Sequence, residues 1–404
     1  MFNDYRGMPR EAKYLILQSI IPSLAFGMFY TDISYFLSTV EGLPDYLMGI
    51  IITLMGVSTF ISSILLGIAA DKYGRKKLYV LGNVIASSII MLFALTTNPV
   101  ILLAAAALEG VSEGSFAASG SALIAEKAGD QRRTSIFSLF GFVQNIAFGV
   151  GSIIILAVTF FGAFGLTVAE SHALLYVILG VLSLASTLFM LKITESKTLK
   201  KTERRLSDLL PKKSKNTIIK YVVSSAIVAF GAGMIVPLMT RWLNLQYGVT
   251  DAISGPILGV ANIIIGVATL AAPPLARKIG LVNAIVATQG FSTLFMFLTP
   301  LQPGYLSASF VYTIRAFLMN MASPLQQSMI MGLVAEDERG AASGVSAAFW
   351  RLPNALSTSI GASLMGIKLL AAPFFLASLL YIVSIALFWS FFRKIKLPEE
   401  QKTS

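Results

Sequence analysis

Twelve blocks of about twenty apolar residues follow one another along the chain, and no other feature restricts the fold as much. Helices of about twenty residues span the hydrocarbon core of a bilayer. The blocks run over residues 14–37, 46–70, 78–97, 99–125, 134–161, 172–192, 218–242, 253–276, 282–300, 305–334, 341–366 and 369–392. Lipid offers no hydrogen bonds, so each block must satisfy its own backbone as a helix. The expectation is an all-α integral membrane protein with twelve transmembrane helices. Composition agrees: 55% of the residues are hydrophobic and 13% charged, where a soluble chain carries about a quarter charged. The first block is too long for a cleaved leader and lacks a small-residue cleavage site, so it reads as a retained first span.

A net charge of +11 invites a nucleic-acid reading, which the positions of the charges refute. If both termini are cytoplasmic, all 31 basic residues except Arg241, Arg315, Arg351 and Lys368 fall in cytoplasmic segments. That bias follows the positive-inside rule and predicts a multi-pass protein of the plasma membrane, in contact with lipid and not with nucleic acid. There is no cysteine, hence no disulfide and no thiolate metal site. His172, the only histidine, begins the sixth block and is expected at the outer interface. No residue cluster resembles a metal site or a catalytic triad, and no cofactor or enzyme activity is expected.

The basic stretch "KITESKTLKKTERRLSDLLPKKSKNTIIK" (192–220) divides the chain. The expected organisation is a six-helix bundle over 1–192, a cytoplasmic linker over 193–217 and a second bundle over 218–404. The halves resemble each other. "DYLMG" (45–49) matches "DAISG" (251–255) at an offset of 206, which also pairs Gly74 with Gly280 and Arg133 with Arg339. "AFG" recurs at 25–27 and 229–231 with a slip of two residues. A duplicated six-helix unit, pseudo-symmetric in structure, is the organisation these matches predict.

Between the second and third blocks stands "GIAADKYGRKK" (67–77). Gly67 permits close helix approach and Gly74 a tight turn. Asp71 can bond a neighbouring helix N-terminus or pair with Arg75. With this loop, twelve blocks and two related halves, the chain resembles the major facilitator superfamily, most closely its drug and metabolite antiporters. The loop is similar to that family's first motif, with Ala69 where a larger residue is usual; the second copy, "PPLARKIG" (273–280), is degenerate. The resemblance implies two bundles rocking about a central cavity lined by the first and fourth spans of each half. It also implies a gating role for Gly67, Asp71, Gly74 and Arg75.

Several charges lie where lipid should be. Asp32 falls in the first span, Glu109 and Glu113 in the fourth, Arg315 in the tenth and Arg351 in the eleventh. A charge facing mid-bilayer lipid costs about 2.5–3.5 kcal/mol even on lenient scales, so these side chains should face protein or water. The resemblance puts the first four on cavity-lining spans, and the 206 offset aligns Glu109 with Arg315, an acid opposite a base. Glu109 and Glu113, four residues apart, share a helix face; such carboxylates resist ionising together. Glu109, Glu113 and Asp32 are therefore the candidate proton carriers. Arg315, Arg351, Asn320, Gln326 and Asn145 are the candidate substrate contacts, with Pro324 weakening the tenth helix beside them.

No nucleotide-binding loop is present, so transport would draw on an ion gradient. The expected activity is proton-coupled export of a drug or metabolite by a monomer, although the fifth span, "GFVQNIAFGVGS" (141–152), lacks the Gly-Pro common in antiporters of the family. The alternatives are a proton-coupled importer of a small organic acid or sugar, with Arg315 and Arg351 as an anion clamp, and a membrane receptor that transports nothing.

Overall fold

The computed structural model describes residues 8–128, 133–194, 213–335 and 338–394. Every apolar block is helical. The first half holds α1 (Arg10–Tyr35), α2 (Asp45–Tyr73), α3 (Arg75–Phe93), α4 (Pro99–Ala128), α5 (Arg133–Ile154), the short α6 (Ala157–Ala163) and α7 (Val168–Ser186). The second holds α8 (Lys215–Gly233), the short α9 (Met239–Tyr247), α10 (Asp251–Ile279), α11 (Leu281–Leu298), α12 (Tyr305–Leu333), α13 (Arg339–Gly366) and α14 (Ala372–Phe392). Two blocks are thus each broken once. The break between α8 and α9 holds Pro237, which lacks the N–H that a continuous helix would use. α1 ends in a π-helical turn, Phe36–Val40. Nine helical stretches among the described residues are long and apolar enough to cross a membrane. Among the described residues the architecture is all-helical, with twelve long helices.

The chain forms two compact units, Met1–Glu203 with Thr250–Asn262, and Arg204–Val249 with Ile263–Ser404. The first turns of α10 thus belong with the first unit, although their sequence lies in the second half. The expected linker falls mostly outside the described residues.

Packing repeats between the halves. In the first, α1 packs on α5 and α7, and α3 on α4 and α7; in the second, α8 packs on α13 and α14, and α11 on α12 and α14. The closest approaches repeat as well. A Cβ on Gly27 of α1 would collide with the Phe148 carbonyl of α5, and one on Gly233 of α8 with the Asn354 carbonyl of α13. Gly27 and Gly233 are 206 residues apart, the offset of the duplicated motifs. Helices in lipid gain little from apolar burial and associate through such close backbone packing. Side-chain cores complete each unit: Leu15, Tyr79, Leu123 and Phe140 in the first, and Ile285, Met321, Leu325 and Phe388 in the second.

Gly27→Ala and Gly233→Ala should each lower stability by about 1–3 kcal/mol through overpacking. Gly290→Ala, at a position with open space, should not. Thermal unfolding of the three variants in detergent checks this.

Candidate functional site

The most concentrated chemistry lies at the start of α7. Thr167 caps that helix in a reciprocal box: its hydroxyl accepts from the Glu170 N–H at 3.3 Å, and Glu170 accepts from the Thr167 N–H at 2.8 Å. The box fixes the first turn, and His172 sits one turn in. Its Nδ1 lies 2.7 Å from the Val168 carbonyl oxygen. A carbonyl can only accept, so Nδ1 carries a hydrogen and Nε2 is the atom left to act.

Nε2 faces two carboxylates: Asp251 Oδ2 at 2.8 Å and Asp32 Oδ2 at 3.8 Å. Asp32 comes from α1, and Tyr176, one turn past His172, donates its hydroxyl to the same Oδ2 at 3.0 Å. Asp251 is the first residue of α10. That helix comes close to α5 at Gly255, where a Cβ would stand 2.9 Å from the Ser152 carbonyl oxygen. Tyr35 and Phe36 lie against the imidazole, with ring centroids 6.5 and 5.6 Å away. His172 and Asp32 are 0% exposed and Asp251 2%. An uncharged imidazole would present a lone pair to Asp251 at 2.8 Å. Two acceptors do not stand so close without a proton or a metal ion between them. A proton or a metal ion therefore lies between Nε2 and Asp251. Glu41, just past the end of α1, has its carboxyl raised above the ordinary value by burial, a shift that the charge of His172 opposes.

His172 thus stands inside the protein and not at the outer interface where its sequence position suggested. The first turn stays exposed at Val168 and Glu170, and burial begins at Ser171 and His172, where two acids meet the imidazole. Asp32, His172 and Asp251 are the one group of three among the described residues whose ligand atoms could share a metal ion. Their separation in sequence hides the cluster. Asp251 appeared there only as a repeat of Asp45, and the lone histidine was the one available signal.

The other predicted residues are distributed as follows. Glu109, in α4, is 1% exposed. Glu113 is half-buried and accepts from Thr59 Oγ1 of α2 at 3.0 Å. Arg315 of α12 is 4% exposed. Its guanidinium donates to the Tyr381 hydroxyl and lies over the Tyr312 and Tyr381 rings at 5.8 and 5.5 Å. Among the described residues no carboxylate stands within ion-pair distance of Arg315, and its Nε has no hydrogen-bond partner. Asn320 donates to the Ala316 carbonyl of its own helix at 2.8 Å. Gln326 and Arg351 are half-buried, and Asn145 is exposed on α5.

In the 67–77 loop, the surroundings of Gly67 and of the Asp71 side chain lie outside what the structure describes. Gly74 links α2 to α3 at φ 107°, and its repeat partner Gly280 links α10 to α11 at φ 83°, values that favour glycine. Arg75 pairs with Glu126 at the end of α4, at 3.6 Å. Lys127 joins Glu126 to Glu11 of α1, both at 3.1 Å.

Residues 15–358 match the Major Facilitator Superfamily. An uncharacterized membrane protein of Saccharomyces cerevisiae, YJR124C, is 21% identical over 385 residues, covering 83% of this chain and 86% of the yeast protein. Among solved structures, a variant of the nucleoside transporter NupG superposes with a TM-score of 0.80 at 13% identity, covering 95% of this chain and all of the other. A bacterial homolog of the human lysosomal transporter Spinster, in an inward-facing and occupied conformation, gives 0.76 at 14% identity over 95% and 96%. The human organic anion transporter MFSD10 gives 0.64 at 16% identity over 94% and 99%.

Removing one partner of a buried ion pair typically costs about 3–5 kcal/mol. Asp251→Ala and His172→Gln should each destabilise the protein by an amount of that order, and the double variant by clearly less than their sum. Unfolding of the three variants beside wild type tests the coupling; simple additivity would deny it.

Proposed function

The chain belongs to the major facilitator superfamily, and on that footing we propose that it is a secondary transporter moving a small organic solute by alternating access, coupled to protons through Glu109. The observation that carries this reading is the burial of Glu109 near the middle of a 30-residue helix, 1% exposed. It lies about 15 Å from the helix start at 1.5 Å per residue. An acid at that depth stabilises little, and its default reading is functional. A coupling acid must exchange a proton between two states of access, and a carboxylate away from bulk water is suited to that task.

Export by antiport is the direction favoured by the resemblance of the whole chain to drug and metabolite exporters. A second reading, uptake of a small organic acid together with protons, is favoured by Arg315. Its buried guanidinium meets two tyrosines and no carboxylate among the described residues, so an anionic group on the solute would supply the missing counter-charge. Transporters of similar fold include carriers of nucleosides, peptides and organic anions, a range that leaves the fold neutral between the two directions.

Liposomes separate them. With an antiporter, solute accumulates when the lumen is acidic; with a symporter, when the lumen is alkaline. Loss of all gradient dependence for every solute carried would refute proton coupling. Glu109→Gln should abolish accumulation while sparing counterflow exchange, because a permanently neutral site can still move while loaded. Arg315→Gln should raise the KM for an organic acid about tenfold or more, as expected for a lost charged hydrogen bond of about 1.5–3 kcal/mol. An unchanged KM would remove Arg315 from the solute site.

A further inference from the structure

We propose that Asp32, His172 and Asp251 form a binding site for a divalent transition-metal ion of the zinc class. The three ligand atoms all lie within 4.8 Å of one another. Ligand atoms sharing one tetrahedral zinc at about 2.0–2.2 Å stand about 3.3 Å apart. The distances of 2.8 and 3.8 Å from Nε2 to the two carboxylate oxygens bracket that value, and the two carboxylates, within 4.8 Å of each other, would draw together around an ion.

The donor chemistry selects the metal. One imidazole nitrogen with two carboxylates suits zinc, cobalt or nickel. Calcium needs six to eight oxygens and magnesium a hydrated octahedron, and neither favours a nitrogen donor. The charges match as well, since two carboxylates and a neutral imidazole carry the two negative charges that a divalent ion cancels.

The surroundings are those of a built metal site. Nδ1 of His172 is committed to the Val168 carbonyl, so the ring's orientation and tautomer are set before any metal arrives. Such an outer contact is the usual companion of a metal-bound histidine. Tyr176 steadies Asp32, whose Oδ1 is buried with no hydrogen-bond partner among the described residues. That atom can make Asp32 a bidentate ligand. Three protein ligands leave a position for water or for a donor from a solute.

The ion would tie α10 to α1 and α7, because each contributes one ligand. Bound metal should therefore raise the unfolding temperature, since it stabilises only the folded arrangement.

The test uses the full chain, purified, freed of any affinity tag and stripped with chelator, then equilibrated with cobalt(II) or zinc(II) alone. The chain has one histidine and no cysteine. Any imidazole nitrogen coupled to a bound paramagnetic ion can therefore come only from His172. The expected result is one cobalt per chain with low-symmetry visible bands and imidazole coupling in pulsed electron spin resonance. Zinc should displace the cobalt, and either metal should raise the unfolding temperature. His172→Gln should abolish the nitrogen coupling and weaken binding at least tenfold, and Asp251→Asn should weaken it likewise. Absence of stoichiometric cobalt in the wild type would overturn the proposal and leave a site that holds protons only. So would cobalt bound without imidazole coupling, or with equal affinity in Asp251→Asn. These readouts need no transported solute, so their outcome is independent of the transport reading.

Discussion

A polar group inside the bilayer has to be answered by the protein, because the lipid will not answer it. Most of this structure follows from that constraint. Backbone groups are closed into long helices. Hydroxyls turn back on their own helices, as Ser378 does to the Phe374 carbonyl at 2.8 Å and Ser87 to the Asn83 carbonyl at 2.7 Å. Helices meet through backbone at Gly27 and Gly233. Of the five ionisable residues expected at depth, Asp32, Glu109 and Arg315 are folded inward to 0–4% exposure, and Glu113 and Arg351 are half-buried.

The two halves answer the constraint with opposite charges. Tyr176 of α7 and Tyr381 of α14 close their halves in the same way, each in the last long helix of its half. The hydroxyl of Tyr176 donates to the carboxylate of Asp32. That of Tyr381 accepts from the guanidinium of Arg315. One fold position thus steadies an anion in one half and a cation in the other. The repeated frame is common to both halves, and a few buried residues differ between them, an acid in one and a guanidinium in the other.

Much of the frame was legible in the sequence because it depends on local pattern. Apolar block length locates all twelve long helices, and the 206-residue offset anticipates the paired turns at Gly74 and Gly280. It also spans the paired close approaches at Gly27 and Gly233, although the "AFG" match there pairs Gly27 with Gly231. What stayed hidden depends on contacts between distant residues. Nothing in the 67–77 loop says that Arg75 pairs with Glu126. His172 sits at the edge of an apolar block, which is where interfacial residues occur, and only its burial against the two acids shows it to be interior. Glu109 and Glu113 look equivalent in sequence. Burial distinguishes them, Glu109 at 1% exposure and Glu113 half-buried.

The central claim is that a buried carboxylate links solute movement to protons. It is tested most directly by counting protons when solute binds to the purified protein, by calorimetry in buffers of different ionisation heat. The account predicts a net exchange approaching about one proton per chain somewhere between about pH 5 and 8, and its disappearance in Glu109→Gln. Binding with no proton exchanged anywhere in that range would contradict it.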